Sequence, residues 1–171
     1  NGLEKLEYRG YDSAGIAIIN SETNSIFCNK AEGKLKNLIS NLNDQNISGT
    51  VGIGHTRWAT HGKPEVKNAH PHTDSSGSIA VVQNGIIENF QDLKNKLEKE
   101  GIIFNSDTDT EVIPHLIQRE LNTLSKLNLE NNGSTLLVAV RNVISDLEGS
   151  YALAVLWAGA PTSLVVARRQ A

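Results

Sequence analysis

A chain of 171 residues with 39% hydrophobic side chains suffices for one domain with a substantial core and does not call for a second. Its 16 Lys and Arg against 19 Asp and Glu, a net charge of -3, exclude the broad basic surface that a nucleic-acid backbone demands. The longest apolar run, Tyr151 to Ala160, is far shorter than the ~20 residues that span a bilayer, and the lone Cys28 leaves no internal disulfide, which points to a reducing cytoplasm.

In chain order, Asn1 to Gly10 mixes charges of both signs with leucines at helical spacing, unlike a signal or transit peptide. Leu3 and Leu6 before Gly10 read as the last turns of a helix that begins upstream of residue 1. Ser13 to Asn20 and Ser25 to Lys30 form a hairpin with a longer turn, and Cys28, in its second strand, reads as structural rather than nucleophilic. Leu35, Leu38, Ile39 and Leu42 space a short amphipathic helix. A strand over Val51 to His55 leads into a long irregular segment, Arg57 to Ser78, of the length that usually carries function. Ile79 to Gln83 is a further strand, closed by Asn84-Gly85, and Phe90, Leu93 and Leu97 mark a helix ending at Gly101. Two more helices follow. The first runs from about Asp109 past Leu121, opened by the capping box Thr108-x-x-Glu111, with Pro114 near its start; the second starts after Ser134 and stops at Gly149. Tyr151 to Trp157 and Ser163 to Ala167 are closing strands. Hairpin-linked strands with helices gathered between them predict an α+β fold of antiparallel sheets covered by helices, rather than a parallel doubly wound sheet.

The densest chemistry lies in His55-Thr56-Arg57-Trp58-Ala59-Thr60-His61-Gly62, which leaves a strand with a cation, an indole, hydroxyls and imidazoles within eight residues. The planar fork of Arg57 matches a carboxylate or phosphate ligand, and it matches a structural ion pair equally well. His70, His72, His55, His61 and Asp74 are respectable metal-ligand types, but no familiar ligand spacing is present, and the competing reading has them orient the loop through hydrogen bonds. Asn84-Gly85 is either a type I′ turn or, with a bared N–H beside a side-chain amide, an oxyanion hole for acyl transfer. Asp107, Asp109 and Glu111 suit a helix start; a functional carboxylate among them would bind an ammonium group.

Arg9-Gly10-Tyr11-Asp12-Ser13-Ala14-Gly15, His55 to Gly62, Asn84-Gly85-Ile86-Ile87-Glu88-Asn89 and Asp107-Thr108-Asp109-Thr110-Glu111 stand in one order along the chain. In these motifs, over essentially its whole length, the chain resembles the N-terminal glutaminase domain of the glutamine-fructose-6-phosphate aminotransferases (glucosamine-6-phosphate synthases), within the class II glutamine amidotransferases. The resemblance implies the N-terminal-nucleophile hydrolase fold, a four-layer αββα sandwich. It implies L-glutamine as substrate, no cofactor, no metal, and sugar-phosphate isomerase domains of the same polypeptide as recipients of the ammonia, in a homo-oligomeric enzyme. Carried over by position, Arg57 grips the glutamine α-carboxylate and Asp109 its α-ammonium, while the Asn84 side chain and the Gly85 N–H hold the oxyanion. Thr60 and His61 contact glutamine, Trp58 lies in the loop that folds over it, and the Arg9 motif supports the terminal cysteine.

That family's mature chain begins with cysteine, whose thiolate attacks the glutamine amide while its free α-amine handles the proton. Residues 1–171 do not contain it, and Cys28, an internal residue, has no free α-amine. The expectation is therefore a glutaminase domain truncated at both ends relative to the whole enzyme, inactive as it stands. Two alternatives accompany it: the glutaminase half of a glutamine phosphoribosylpyrophosphate amidotransferase, and a catalytically inactive glutamine-binding module.

Overall fold

The computed structural model describes residues 2–9, 12–43, 45, 47–58 and 63–170, with Arg9 described by its backbone alone. Ser13–Ile19 forms β1, and the alternation of a strand sends Ala14 and Ile16 to one face and Ala17 and Ile19 to the other. β1 is the centre of an antiparallel three-stranded sheet between β2 (Ile26–Glu32) and β3 (Val51–Arg57), with Ala17 opposite both Cys28 and Ile53. Helix α1 (Leu35–Leu42) covers the outer face, where its Leu35, Leu38 and Leu42 pack with Leu3 against Ala14, Ile16 and Ala31. Glu4–Arg9 is a 3-10 helix rather than the α-helical turns predicted for it. Its Glu7 carboxylate accepts the N–H of Leu35 at 3.0 Å, so the start of α1, which lacks a cap of its own, is held by this neighbouring segment.

The second sheet is antiparallel too, in the order β4 (His72–Thr73), β5 (Ile79–Ile87), β6 (Gly149–Trp157), β7 (Val165–Arg169). Ile79 and Val81 of β5 and Leu153, Val155 and Trp157 of β6 face the helices α2 (Phe90–Lys99), α3 (Val112–Ser125) and α4 (Gly133–Asp146). Ala80, Val82, Ala154 and Leu156, one residue out of phase, face the first sheet, where they meet Ala17, Ile19 and Ile53. Three apolar layers thus separate helix, sheet, sheet and helices, the αββα order. Small residues at the middle layer let the sheets approach, and Gly15 has no room for a side chain, since a Cβ there would lie 2.2 Å from the carbonyl oxygen of His70. No helix among the described residues is long and apolar enough to cross a membrane.

Helix α4 begins two residues earlier than predicted, at Gly133, because the Asn132 side chain accepts the Thr135 N–H at 3.0 Å. Two turn-level expectations are corrected. Asn84-Gly85 does not close a strand: β5 runs through it to Ile87, with Asn84 opposite Ala152 and Gly85 opposite Tyr151. Nor does Thr108-x-x-Glu111 form a capping box, because α3 starts at Val112 and Glu111 hydrogen-bonds the backbone of Asn105 and Ser106 instead. In the first case pairing with β6 outcompetes the local turn; in the second, loop amides five and six residues upstream outcompete the helix end.

Candidate functional site

The end of β3, the far half of β5 and the loop before α3 come together around one cavity of about 430 Å3, within the ~300–1,000 Å3 usual for small-molecule sites. Its walls include Arg57 and Trp58 from β3 and just beyond, Asn84 and Gly85 from β5, and Thr108 and Asp109 from the loop, with His55 and His70 beside them. These segments are far apart in sequence, so only the stacking of the two sheets makes the cavity.

Arg57 is buried at the close of β3, and its carbonyl accepts the Asp12 N–H at 3.1 Å. Burial pushes its guanidinium pKa down, and the charges of Asp12 and Asp109 oppose that shift. One guanidinium nitrogen, Nη1, lies 3.4 Å from the Lys63 carbonyl oxygen. Asp109 is buried on the other side, its Oδ2 accepting the Ile87 N–H at 2.7 Å, which ties the loop to the last residue of β5. The neighbouring Thr110 hydroxyl donates to Gln83 Oε1 at 2.8 Å, a second tie to the same strand.

Asn84 and Gly85 present an exposed stretch of β5 to the same cavity. Gly85 has a φ of 119°, in the region closed to most side chains, and a Cβ would sit 2.1 Å from the Ser150 carbonyl oxygen. Glycine is therefore obligatory at this point of the cavity wall, which Asn84 also lines. Trp58 is exposed at the rim. Thr60 and His61 lie outside the described residues, as does the side chain of Arg9.

The histidines resolve into a stack. The His55 and His70 rings are 4.4 Å apart and stacked, and His72 meets His70 edge-on at 4.9 Å. His70 Nδ1 accepts the Gln83 N–H at 3.3 Å, so a neutral ring carries its proton on Nε2, and His72 Nε2 is 3.1 Å from Thr108 Oγ1. Burial lowers all three: His55 to about 4, with help from Arg57; His72 to about 3, with help from Lys30; and His70 well below the ordinary imidazole value. Neutral and packed, with His70 bonded to the strand and His72 to the loop, these two rings fit the loop-orienting reading, whereas the buried Nδ1 of His55 has no hydrogen-bond partner among the described residues. Among the described residues no group of three His, Cys, Asp or Glu is placed to hold a metal ion. Asp74 is occupied elsewhere, accepting the N–H groups of Ser76 and Ile79 at 2.9 and 2.7 Å in the turn before β5.

Residues that pattern-reading did not assign to the cavity also line it: His70, Gln83 and Thr108. A polar Gln83 at the end of an apolar strand, directly before Asn84, was the available signal. Asn68 had none. Fully buried, it bridges the Lys63 carbonyl oxygen (3.0 Å) and the Asp107 N–H (2.9 Å), joining the segment after Trp58 to the loop that carries Asp109.

Two facing antiparallel sheets between helix layers, with a buried arginine, a buried aspartate and a strained glycine lining one cavity, are an α+β arrangement consistent with the N-terminal-nucleophile hydrolase fold of the amidotransferases. The chain belongs to the glutamine amidotransferase domain family, whose model matches residues 55–171. It is 55% identical, over 99% of its length, to the glutamine–fructose-6-phosphate aminotransferase (isomerizing) of Thermosynechococcus vestitus, and 53% identical, over 98%, to that of Pyrococcus horikoshii. In each case it spans only 26% of the relative. Among solved structures, the glutamine phosphoribosylpyrophosphate amidotransferase of B. subtilis matches 98% of this chain, and 33% of its own, at a TM-score of 0.75 with 31% identity.

Proposed function

We propose that residues 1–171 are the glutaminase part of a longer aminotransferase, which hydrolyses L-glutamine and passes the ammonia to sugar-phosphate isomerase domains that turn fructose 6-phosphate into glucosamine 6-phosphate. The observation that carries this reading is the convergence of Arg57, Asp109 and Asn84-Gly85 on the wall of one cavity. A free amino acid is zwitterionic, and one site with a buried cation and a buried anion accepts both of its ends. Arg57 takes the α-carboxylate as a bidentate partner and Asp109 the α-ammonium, which leaves the side-chain amide at Asn84-Gly85.

In this mechanism a terminal cysteine thiolate, supplied by the longer polypeptide, attacks the amide carbon. The carbonyl oxygen gains the charge and is stabilised by the Asn84 amide and the Gly85 N–H. The C–N bond breaks, ammonia leaves with a proton from the cysteine α-ammonium, and water hydrolyses the thioester to glutamate. Thr60 and His61 contact glutamine, and the loop that carries Trp58 folds over it and keeps water out while ammonia forms. Arg9 supports the terminal cysteine. Identities above 50% to the fructose-6-phosphate enzymes, against 31% to the phosphoribosylpyrophosphate enzyme, support the aminosugar reading over the purine one. The free, half-buried thiol of Cys28 accords with a cytoplasmic location.

The test uses the full-length protein with glutamine and fructose 6-phosphate. Glutamate and glucosamine 6-phosphate in equal amounts are expected. Amination of phosphoribosylpyrophosphate instead would move the chain to the other enzyme, and glutamine binding without glutamate release would make it a binding module.

A further inference from the structure

Glu111 is buried one residue before α3, and its carboxylate is not part of the cavity wall. Burying a carboxylate is costly unless it is hydrogen-bonded, and here its direct hydrogen bonds all come from the loop that carries Asp109. Oε1 accepts the Asn105 N–H at 2.8 Å; Oε2 accepts the Ser106 N–H at 2.6 Å and the Ser106 hydroxyl at 2.5 Å. Ser106 Oγ is in turn 2.9 Å from Thr108 Oγ1, the group that meets His72. Burial by itself would raise the Glu111 pKa, yet the nearby His115 ring and the donors of Asn105 and Ser106 bring it down to about 2. The His115 ring nitrogen stands off at 3.9 Å, so the two amides and the hydroxyl make the direct bonds.

These bonds close residues 105–111 into a ring whose two ends meet at one carboxylate. On its free arc sits Asp109, latched to β5 through the Ile87 N–H. We propose that Glu111 is a positioning residue for glutamine: by clamping both ends of the loop, it holds the Asp109 carboxylate where the α-ammonium docks. This rests on the reading of Asp109 given above. An amide cannot replace the clamp, because a Gln at 111 would turn an NH2 donor toward backbone donors.

The test compares L-glutamine with glutaramate, which keeps the carboxylate and the amide but lacks the α-ammonium, in the full-length enzyme. In Glu111→Gln the KM for glutamine is expected to rise roughly tenfold or more, as for loss of a hydrogen bond to a charged group, with kcat within about twofold. Turnover of glutaramate should change by no more than about twofold, and adding Asp109→Asn should bring little further loss. Ser106→Ala, a milder cut at the same ring, should show the same substrate-selective loss at smaller size and serves if Glu111→Gln does not fold. Equal losses on both substrates, or an unchanged KM for glutamine, would overturn the role of Glu111 alone. A wild-type enzyme that does not distinguish the two substrates would overturn the assignment of Asp109, and with it this inference.

Discussion

Replacing Gly85 with alanine adds a single methyl group at the point where β5 turns its backbone toward the cavity. The methyl carbon would lie 2.1 Å from the Ser150 carbonyl oxygen and 2.9 Å from the Tyr151 Cα, whereas real Cβ contacts stay beyond 3.0 Å. Backbone cannot swing away as a side chain can, so β5 and β6 must part locally by about 0.9 Å, enough to stretch ladder hydrogen bonds past useful length. A φ of 119° adds its own penalty for any residue with a Cβ. Strain of about 1–3 kcal/mol and overpacking of about 1–3 kcal/mol together predict a loss of about 2–6 kcal/mol from a domain whose total stability is of order 5–15 kcal/mol. The midpoint of urea denaturation measures it. Whatever folds should also hydrolyse glutamine about a hundredfold more slowly, since a displacement near 1 Å at a catalytic donor costs that much. An alanine variant within about 0.5 kcal/mol of the parent and with unchanged kcat would refute both the crowding argument and the placement of the oxyanion at Gly85.

Arg57→Lys should raise the KM for glutamine by the equivalent of about 1.5–3 kcal/mol, because a point charge cannot reproduce a two-pronged grip; an unchanged KM removes Arg57 from the site. Asn84→Ala should lower kcat by about 10²–10³ while leaving KM near its original value, as for loss of one oxyanion donor, and steady-state kinetics on glutamine separate the two parameters. The buried histidines predict acid sensitivity. His55, held to about 4, and His72, held to about 3, take up protons more readily unfolded than folded, so their contribution to stability is intact above about pH 6.5 and declines as pH falls toward those values. Denaturation midpoints that stay flat from pH 7.5 to about 4.5 would contradict the burial of these rings.

Most strands and helices were legible as patterns. Alternation in Ser13 to Asn20 and in Ile79 to Gln83, and the leucine spacing of Leu35 to Leu42, are local signals of which face is buried, and burial is what those elements are stabilised by. Asn84-Gly85 was legible as chemistry but misleading as structure, because the dipeptide favours a turn in isolation and only pairing with Ala152 and Tyr151 draws it into a strand. Thr108 and Glu111 misled in the same way: the spacing of a capping box is present, yet Ser106 and Asn105 offer Glu111 better donors than the helix end does.

By itself the sequence determined which charged and polar residue types are present, in what order they occur, and that antiparallel sheets under helices would carry them. It could not determine that Arg57 and Asp109 face a common cavity, that the histidines pack on one another as neutral rings, or that Asn68 and Glu111 hold the loops in place. The first of these outcomes joins residues 52 positions apart and is set when the two sheets close against each other, while the others depend on how the loops between them pack. Local patterns encode which face of a segment is buried; the partner it is buried against is selected by the packing of the whole.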